Sequence, residues 1–552
     1  SHGKTVSLRD ASVIGDIKYL WGPNRHRELV ILAQAWQATG THQYLDAIGE
    51  LLGSWFEQCP FPLGPNWTRA SEVGIRLINW ATVWQLIGGA SSPLFESSVG
   101  KVLRSDWLAS VWRHAEFIEA NLHRTPSANS QLIAELAGLY VAGATWPFWN
   151  DSKQWRDQGR EGLEREVLRQ ISSDGVNLEQ STSTQLFVWD ALLMAGLAAR
   201  ATGRDFSVAY WCRLEAMVEY VAALMDAGGN VPMFGDADDG PLSGLALGTS
   251  ESQVQSQLAT GALLFSRPAL ARKAGMVDLR TRCLLGKDLV DRFNLLLLKA
   301  FPSTLKTAFP EGGVYVLGSH LDSPEEWRIV ADAGALGMGG LAAHGHADAL
   351  SFTLSVAGRE FLVDPGTGTF HGPRAWRDGF RGTAMHNTLV VAGEDQAVSA
   401  GKFMWVKKYN TQVLSWNSDL SADMLVAEHD GYRRLSGRPI HRRGWIFDKA
   451  VDCLTVQDEV VSTTPQNIAL YWHFSEHCVV VPEPDGVTVS CGPVRLGMLL
   501  PPGGEMLILQ GSDMPLGGWV SRAYDLRTPA TTVVWTGRIE PGELLETVFR
   551  RL

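Results

Sequence analysis

The sequence of 552 residues contains few cysteines, no long apolar run and no excess of basic residues. Its six cysteines, at positions 59, 212, 283, 453, 478 and 491, form no CxxC pair, which excludes a cysteine-based zinc site and a spacing-defined disulfide scaffold. No apolar run reaches about 18 residues, so no membrane-spanning helix is expected. Lys and Arg number 48 against 59 Asp and Glu, a net charge of −11. Nucleic acid is therefore an unlikely partner, although a local basic groove for an anionic ligand is allowed.

The sequence also lacks an initiator methionine and a recognisable signal peptide, because it begins Ser-His-Gly-Lys. A processed or trimmed chain is one interpretation of this start. We expect a periplasmic or secreted location if a signal peptide has been removed, and a cytoplasmic location otherwise. The sequence gives no indication of oligomeric state.

Tyrosine is scarce relative to tryptophan, with 10 Tyr against 21 Trp. Large core side chains on helices explain most of these tryptophans. The alternative is a sugar-binding groove, since indole faces pack well on pyranose rings.

The periodicity of apolar residues changes near residue 310. Before about 270, apolar positions recur at three- and four-residue spacing with Gly and Pro at the breaks, which predicts an array of α/α hairpins such as a toroid or solenoid. After 310, short β-rich segments alternate with Gly, Pro and Asp turns. The fold class is therefore α+β multidomain: a helical (α/α) toroid domain at 1–300, followed by an antiparallel β-sandwich domain at 305–552.

The densest group of chemically active side chains lies in the strand-rich half. On an extended segment His344, His346 and Asp348 share one face, and Asp364 and His386 follow downstream. Two His and one Asp on neighbouring strands suit zinc, whose protein ligands include imidazole and carboxylate. The alternative is that these are ordinary hydrogen-bonded residues at a sheet edge.

Several motifs, in the same order along nearly the whole chain, resemble those of the heparinase II/III-like polysaccharide lyases, a group that includes alginate lyases. In the helical half the matching stretches are residues 66–76, 127–135, 174–181 and 235–240. In the strand-rich half they are 344–352, 362–369 and 380–388. The resemblance implies an incomplete (α/α) toroid followed by an antiparallel β-sandwich, in agreement with the periodicity.

This family cleaves uronic-acid polysaccharides by β-elimination. The reaction requires neutralisation of the C6 carboxylate, removal of the C5 proton and protonation of the departing O4. The resemblance implies that His344 is catalytic, with Asn129 and Glu179 assisting. It also implies one divalent metal ion, a structural zinc, and no organic cofactor; the implied ligands are His346, Asp364 and His386. Residues assigned to substrate binding are Arg69, Arg76, Gln131, Thr184, Gln185, Arg377 and Arg381.

The chain departs from the family pattern at the usual proton-transfer positions. Thr184 stands where a catalytic Tyr is usual, Gln131 and Gln185 stand where His is usual, and Phe370 replaces another Tyr. Thr cannot replace a phenol as a base, because its hydroxyl has a far higher pKa. Three functions stay open: a lyase with a variant acid/base set, a glycoside hydrolase acting on an acidic bacterial exopolysaccharide with Glu179, Glu135, Glu72 or Asp236, and a glycan-binding protein without catalysis. In each case the expected partner is an acidic polysaccharide or oligosaccharide.

Overall fold

The computed structural model describes residues 2–6, 15–124, 128–237, 240–245, 252–286, 288–299 and 305–552. A helical N-terminal part precedes a C-terminal part built of antiparallel sheets, which confirms the predicted fold class. The predicted domain boundary between 300 and 305 falls on residues 300–304, which lie outside the described residues. No helix in the described part of the chain is long and apolar enough to cross a membrane.

The helices follow from apolar residues repeated every three or four positions. In the helix His42–Gln58, for example, Leu45, Ile48, Leu52 and Trp55 form the buried side. The α-helices are α1 (Lys18–Trp21), α2 (Arg27–Thr39), α3 (His42–Gln58), α4 (Ala70–Leu86), α5 (Ser98–Asn121), α6 (Ser130–Thr145), α7 (Asp151–Gln170), α8 (Thr182–Ala201), α9 (Val208–Leu224), α10 (Gln253–Phe265), α11 (Pro268–Ala274), α12 (Leu279–Leu285), α13 (Val290–Leu297) and α14 (Arg374–Phe380).

The strands form three main antiparallel sheets. They are β1 (Ala308–Phe309), β2 (Val314–Ser319), β3 (Trp327–Asp332), β4 (Phe352–Val356), β5 (Arg359–Leu362), β6 (Leu389–Val391), β7 (Val398–Gly401), β8 (Met404–Lys407), β9 (Thr411–Ser418), β10 (Ala422–His429), β11 (Ile440–Asp448), β12 (Cys453–Val461), β13 (Gln466–His473), β14 (Val479–Glu483), β15 (Gly486–Cys491), β16 (Val494–Leu499), β17 (Glu505–Gln510), β18 (Ser512–Asp513), β19 (Leu516–Gly517), β20 (Trp519–Val520), β21 (Thr528–Pro529), β22 (Thr531–Ile539) and β23 (Leu544–Arg551).

One face of each of the three sheets packs against a common hydrophobic core. The orders are β1-β2-β3-β4-β5, β14-β15-β16-β23-β12-β11-β10-β9 and β17-β22-β13-β6, and the remaining strands form two-stranded ribbons. Buried side chains from all three sheets, including Ile329, Trp445 and Val533, belong to a single hydrophobic cluster. This packing of sheet on sheet makes the strand-rich part a β-sandwich.

The chain divides into two compact units that do not follow chain order. The helical unit comprises residues 1–171, 186–218 and 240–302, and the strand-rich unit comprises 172–185, 219–239 and 303–552. Two segments from the helical half of the sequence therefore pack with the strands. One contact of this kind is the edge-to-face pair Tyr220–Phe309, whose ring centroids are 5.0 Å apart. These segments explain why β2 and β3 are buried along their whole length.

The abundant tryptophans of the helical half are mainly core residues. Six of them, Trp67, Trp80, Trp107, Trp146, Trp155 and Trp189, have less than 2% of their surface exposed. Arg76 lies among them, with its guanidinium 4.8 Å from the ring centroid of Trp55. Its Nε donates to the carbonyl of Asn24 at 2.8 Å, and Nη1 donates to His114 at 3.0 Å. This buried position does not fit the substrate-binding role assigned to Arg76, because the side chain supports the helical core.

The hydrogen bonds around Arg76 require two neutral histidines. His114 Nδ1 donates to the carbonyl of Ser110, so its Nε2 accepts from Arg76; His26 Nδ1 accepts from Trp80 Nε1 at 2.8 Å. Burial, reinforced by the charge of Arg76, holds the pKa of both histidines well below the usual value. Protonation of either ring would remove an acceptor from a dry site.

We expect the free energy of unfolding to fall as the pH drops below about 6.5. The unfolded chain then binds protons at His26 and His114 that the folded chain refuses, so each histidine removes up to about 1.4 kcal/mol per pH unit. Denaturant titrations at neutral and mildly acidic pH measure this loss. His114→Gln should be less stable at neutral pH and lose less on acidification, whereas the exposed His42→Gln should behave as wild type. An unchanged slope in His114→Gln would contradict the assignment.

Candidate active site

His344 lies at the centre of a polar cluster within the strand-rich unit. Its Nδ1 is 3.0 Å from Oδ2 of Asp236, and its Nε2 is 3.7 Å from Oε2 of Glu179. The imidazole is 18% exposed, whereas the two carboxylates are buried. Burial lowers the pKa of His344, but the hydrogen bond to Asp236 and the charge of Glu179 outweigh it, and the net pKa is raised. His344 is thus an anchored imidazole that is partly exposed to solvent.

Two glycines allow the close backbone approaches that bring these side chains together. A Cβ at Gly345, between the two histidines, would stand 1.5 Å from the carbonyl oxygen of Leu336. Gly235 has φ +62°, and a Cβ there would stand 2.2 Å from the carbonyl oxygen of Gln180. Only glycine fits either position, and each precedes a residue of the cluster in sequence.

Asp236 is the anchor of this cluster. It accepts hydrogen bonds from His344, from Nε2 of His346 at 3.0 Å, and from both terminal nitrogens of Arg377, with Nη2 at 2.8 Å. Burial raises the pKa of Asp236, but Arg377 and the two histidines lower it well below the usual value. The carboxylate is therefore ionised and fixes the orientation of both imidazoles.

A second group of ligand atoms lies beside this anchor. His346, Asp348 and His386 each offer one ligand atom, and these atoms lie within 4.8 Å of one another. His386 Nδ1 donates to Oδ2 of Asp364 at 2.9 Å, as His346 Nε2 donates to Asp236. The opposite nitrogens, Nδ1 of His346 and Nε2 of His386, are buried and have no hydrogen-bond partner among the described residues.

These residues fit a divalent metal ion. Two buried imidazole lone pairs and one carboxylate form a donor set that suits zinc. The outer nitrogen of each histidine is held by a carboxylate, the arrangement that usually orients metal-binding imidazoles. The structure brings Asp348 into the three-residue group, whereas the sequence had assigned Asp364. Asp364 instead supports His386, because its Oδ2 receives Nδ1 and its Oδ1 accepts from the backbone of Gly366 at 2.9 Å.

Two of the four arginines predicted to bind substrate, Arg377 and Arg381, are fully buried and form hydrogen bonds within the protein. Arg377 grips Asp236, and its Nε donates to the carbonyl of Lys402 at 2.9 Å. Arg381 donates to the carbonyls of Lys402 and Gly401 and lies 4.4 Å from the ring centroid of Trp405. Both arginines therefore form hydrogen bonds within the protein, and neither exposes its guanidinium to solvent.

The chain segment with the unusual Thr184 and Gln185 is held by local hydrogen bonds. Gln185 is buried; its Oε1 accepts from the backbone of Asn177 at 2.7 Å, and its Nε2 donates to the carbonyl of Gly175 at 2.9 Å. Gln185 therefore fixes the loop that carries Glu179. Thr184 is partly exposed and lies in the first turn of helix α8, where its N–H donates to the Ser181 hydroxyl at 3.1 Å.

The remaining predicted residues belong to the helical unit. Asn129 caps helix α6, with its side chain accepting from the backbone of Gln131 at 3.2 Å, and both residues are partly exposed. Arg69 precedes helix α4 and is also partly exposed.

Tyr409 contacts a candidate metal ligand and Arg443 contacts sequence neighbours of two others, and neither residue was predicted. The Arg443 guanidinium donates to the carbonyls of Asn387 and Leu350, at 2.6 and 2.8 Å, close in sequence to His386 and Asp348. Tyr409 donates to the carbonyl of His346 at 3.3 Å. The sequence did contain a signal for Arg443. It is a charged residue at a buried position of β11, a strand in which buried and partly exposed residues largely alternate.

Comparison with known proteins identifies the architecture first. Over 96% of this chain and 76% of the other, the fold matches the crystal structure of heparinase III, with a TM-score of 0.74 and 18% identity. A heparan sulfate lyase mutant of Pedobacter heparinus matches 100% of this chain and 79% of the other, with a TM-score of 0.68 and 20% identity. The chain thus has the helical and β-sandwich fold of these proteins.

Sequence comparison then gives the family. The model described as heparinase II/III N-terminus matches residues 12–246, and the model described as heparinase II/III-like, C-terminal, matches residues 302–544. The chain belongs to the heparinase II/III family. A heparin-sulfate lyase of Pedobacter heparinus is 23% identical over 84% of this chain, and one of Bacteroides thetaiotaomicron is 23% identical over 82%. The chain spans 63% and 60% of the length of these two relatives.

Proposed function

We propose that this protein is a polysaccharide lyase that cleaves an acidic, uronic-acid-containing glycan by β-elimination. The observation that carries the proposal is His344, whose Nδ1 is anchored by Asp236 while 18% of its side chain is exposed to solvent. In this proposal His344 exchanges a proton with the substrate, and Glu179, 3.7 Å away, positions the ring. The names of the relatives, heparin-sulfate lyases, support an acidic glycan as the substrate class.

The carboxylates of the described structure favour elimination over hydrolysis. A glycoside hydrolase needs two carboxyl groups that flank the scissile bond. Asp236 is held by Arg377 and two histidines, Glu72 pairs with Arg25 through two hydrogen bonds of 2.7 Å, and Glu135 accepts from His123. All three are buried in their own contacts, which leaves Glu179 as the candidate closest to His344.

Asn129 is the proposed partner for the substrate carboxylate. Its Oδ1 accepts a hydrogen bond from the backbone of Gln131, which fixes the orientation of the amide group. Its Nδ2 is then the group that can donate to a substrate carboxylate. An amide donor hydrogen-bonded to the C6 carboxylate would favour loss of the C5 proton.

The experiment that tests the function is digestion of a panel of glycans with and without uronic acid. Elimination produces an unsaturated uronate with a new ultraviolet absorbance, whereas hydrolysis produces reducing ends without it. We expect both signals to rise together on at least one acidic glycan. Reducing ends without the absorbance would overturn the lyase proposal, and binding without either product would identify a glycan-binding protein.

We further propose that His346, Asp348 and His386 bind one structural zinc ion, with Asp236 and Asp364 as the outer carboxylates. The two unpartnered imidazole nitrogens support this proposal. When bound, the ion would neutralise the carboxylate of Asp348 and tie the segment after His344 to the segment that carries His386.

We expect elemental analysis to find close to one zinc per chain, and His346→Ala, His386→Ala and Asp348→Ala to lose most of it. Asp364→Asn should retain binding but weaken it about 10- to 100-fold, because it changes only an outer partner. The exposed His320→Asn is the matched control and should keep its zinc. Full zinc content in Asp348→Ala, with loss in Asp364→Asn, would restore Asp364 as the ligand.

A further inference from the structure

Cys478 and Cys491 are brought together by the hairpin of β14 and β15. The outermost paired residues of this hairpin are Val479 and Ser490, so one further step in the antiparallel register sets Cys478 opposite Cys491. Residues that face each other in an antiparallel pair have Cα atoms about 4.5–5.5 Å apart. This spacing lies inside the roughly 4.4–6.8 Å range over which a disulfide closes without backbone movement.

The side chains of both cysteines point to the same side of the sheet. Cys491 belongs to the buried core of the sandwich, and the partly buried Cys478 packs against that core. The Cys478 thiol donates to the carbonyl of Glu360 at 3.5 Å, and the adjacent Cys478 thiol and the charge of Arg359 outweigh burial and lower the pKa of Cys491. A lowered thiol pKa increases the fraction of Cys491 that is present as the reactive thiolate.

We propose that Cys478 and Cys491 form a disulfide when the protein meets a disulfide oxidant such as oxidised glutathione. The Cys491 thiolate attacks one sulfur of the oxidant and releases one molecule of thiol. Cys478 then attacks the sulfur of Cys491 in the mixed disulfide, gives its proton to the second departing thiolate, and closes the bond. Two protein thiols are oxidised and one small disulfide is reduced to two thiols.

The resulting bond would close a loop of 14 residues, 478–491, at the edge of the eight-stranded sheet. β14 is one of the two edge strands and is mostly exposed, so within the sheet it pairs with β15 on one side and has no strand on the other. A covalent link at the open end of this hairpin would hold the edge strand in register. The proposal is independent of the lyase proposal.

The test is a count of free thiols. Reduced wild-type protein is incubated in its folded state with oxidised glutathione, freed of it, denatured and titrated with a thiol reagent. Two of the six thiols should disappear, leaving four, and peptide mass mapping should find 478 joined to 491. Six remaining thiols, or a link between other cysteines, would overturn the proposal.

Serine variants locate the reaction. Cys478→Ser has five thiols and should form no intramolecular link, so it should lose at most one thiol, as a mixed disulfide of Cys491 with glutathione, while the Cys453→Ser control should fall from five to three. Loss of two thiols in Cys478→Ser would assign the chemistry to another pair. If a serine variant does not fold, the mass map of the wild-type protein decides alone.

Discussion

His344→Gln should abolish formation of the unsaturated uronate, with kcat reduced at least about a hundredfold. Glutamine keeps a polar side chain of similar reach but cannot exchange a proton near neutral pH. The anchor Asp236 would keep its other partners, His346 and Arg377, so the fold should survive. Initial rates from the ultraviolet absorbance, with circular dichroism to verify folding, measure the effect.

The control is His477→Gln, which alters an exposed histidine in the same unit and should have wild-type rates. Glu179→Gln should lower kcat less than His344→Gln, because Glu179 positions the ring and does not carry the proton. A His344→Gln variant with wild-type kcat, or a complete loss in Glu179→Gln with saturated products, would contradict the mechanism.

Arg443→Met should destabilise the strand-rich unit by about 3–5 kcal/mol and weaken zinc binding. Arg443 forms a two-point ion pair with Asp458, at 2.8 and 3.0 Å, and both residues are fully buried. Removing one partner leaves an uncompensated charge in the core, which is the costly way to break such a pair. Loss of the guanidinium also frees the carbonyls of Asn387 and Leu350, beside the metal-binding residues.

Denaturant titration and zinc affinity measure the two effects separately. Asp458→Leu should be as damaging as Arg443→Met, whereas the double variant should recover part of the stability, since no charge is left unpaired. If the double variant recovers stability but not zinc affinity, the contacts of Arg443 with the carbonyls of Leu350 and Asn387 position the proposed zinc ligands. The neighbouring Arg442→Ala removes only partly exposed ion pairs with Glu428 and Glu459 and should cost about 1 kcal/mol or less. Equal effects at 442 and 443 would contradict this prediction.

The sequence predicted the order of helices and strands well because it depends on local periodicity. The change from helices to strands was predicted near residue 310, and the first strand begins at Ala308. Local patterns contain little information about which distant segments pack together. The inclusion of 172–185 and 219–239 in the strand-rich unit was therefore not foreseen.

The candidate site was predicted by residue type but not by partner. His344, His346 and His386 were identified, whereas the choice between Asp348 and Asp364 depends on which nitrogen of His386 each oxygen faces. Arg76, Arg377 and Arg381 were assigned to substrate binding, because a guanidinium suits a carboxylate. In the structure Arg377 pairs with Asp236, and Arg76 and Arg381 donate to backbone carbonyls. The cysteine pair escaped notice because a contact across a hairpin leaves no CxxC spacing.

Because residues 172–185 and 219–239 belong to the strand-rich unit, a fragment cut at the boundary between helices and strands would lose part of the candidate site. A fragment that begins at residue 305 would contain the sandwich strands, His344 and every proposed zinc ligand. It would lack Glu179 and Asp236, the two carboxylates beside the imidazole that we propose to be catalytic. Such a fragment would retain His344 without the carboxylates that orient it. We therefore expect natural truncations or domain exchanges at this boundary to yield inactive proteins that still contain the histidine motif.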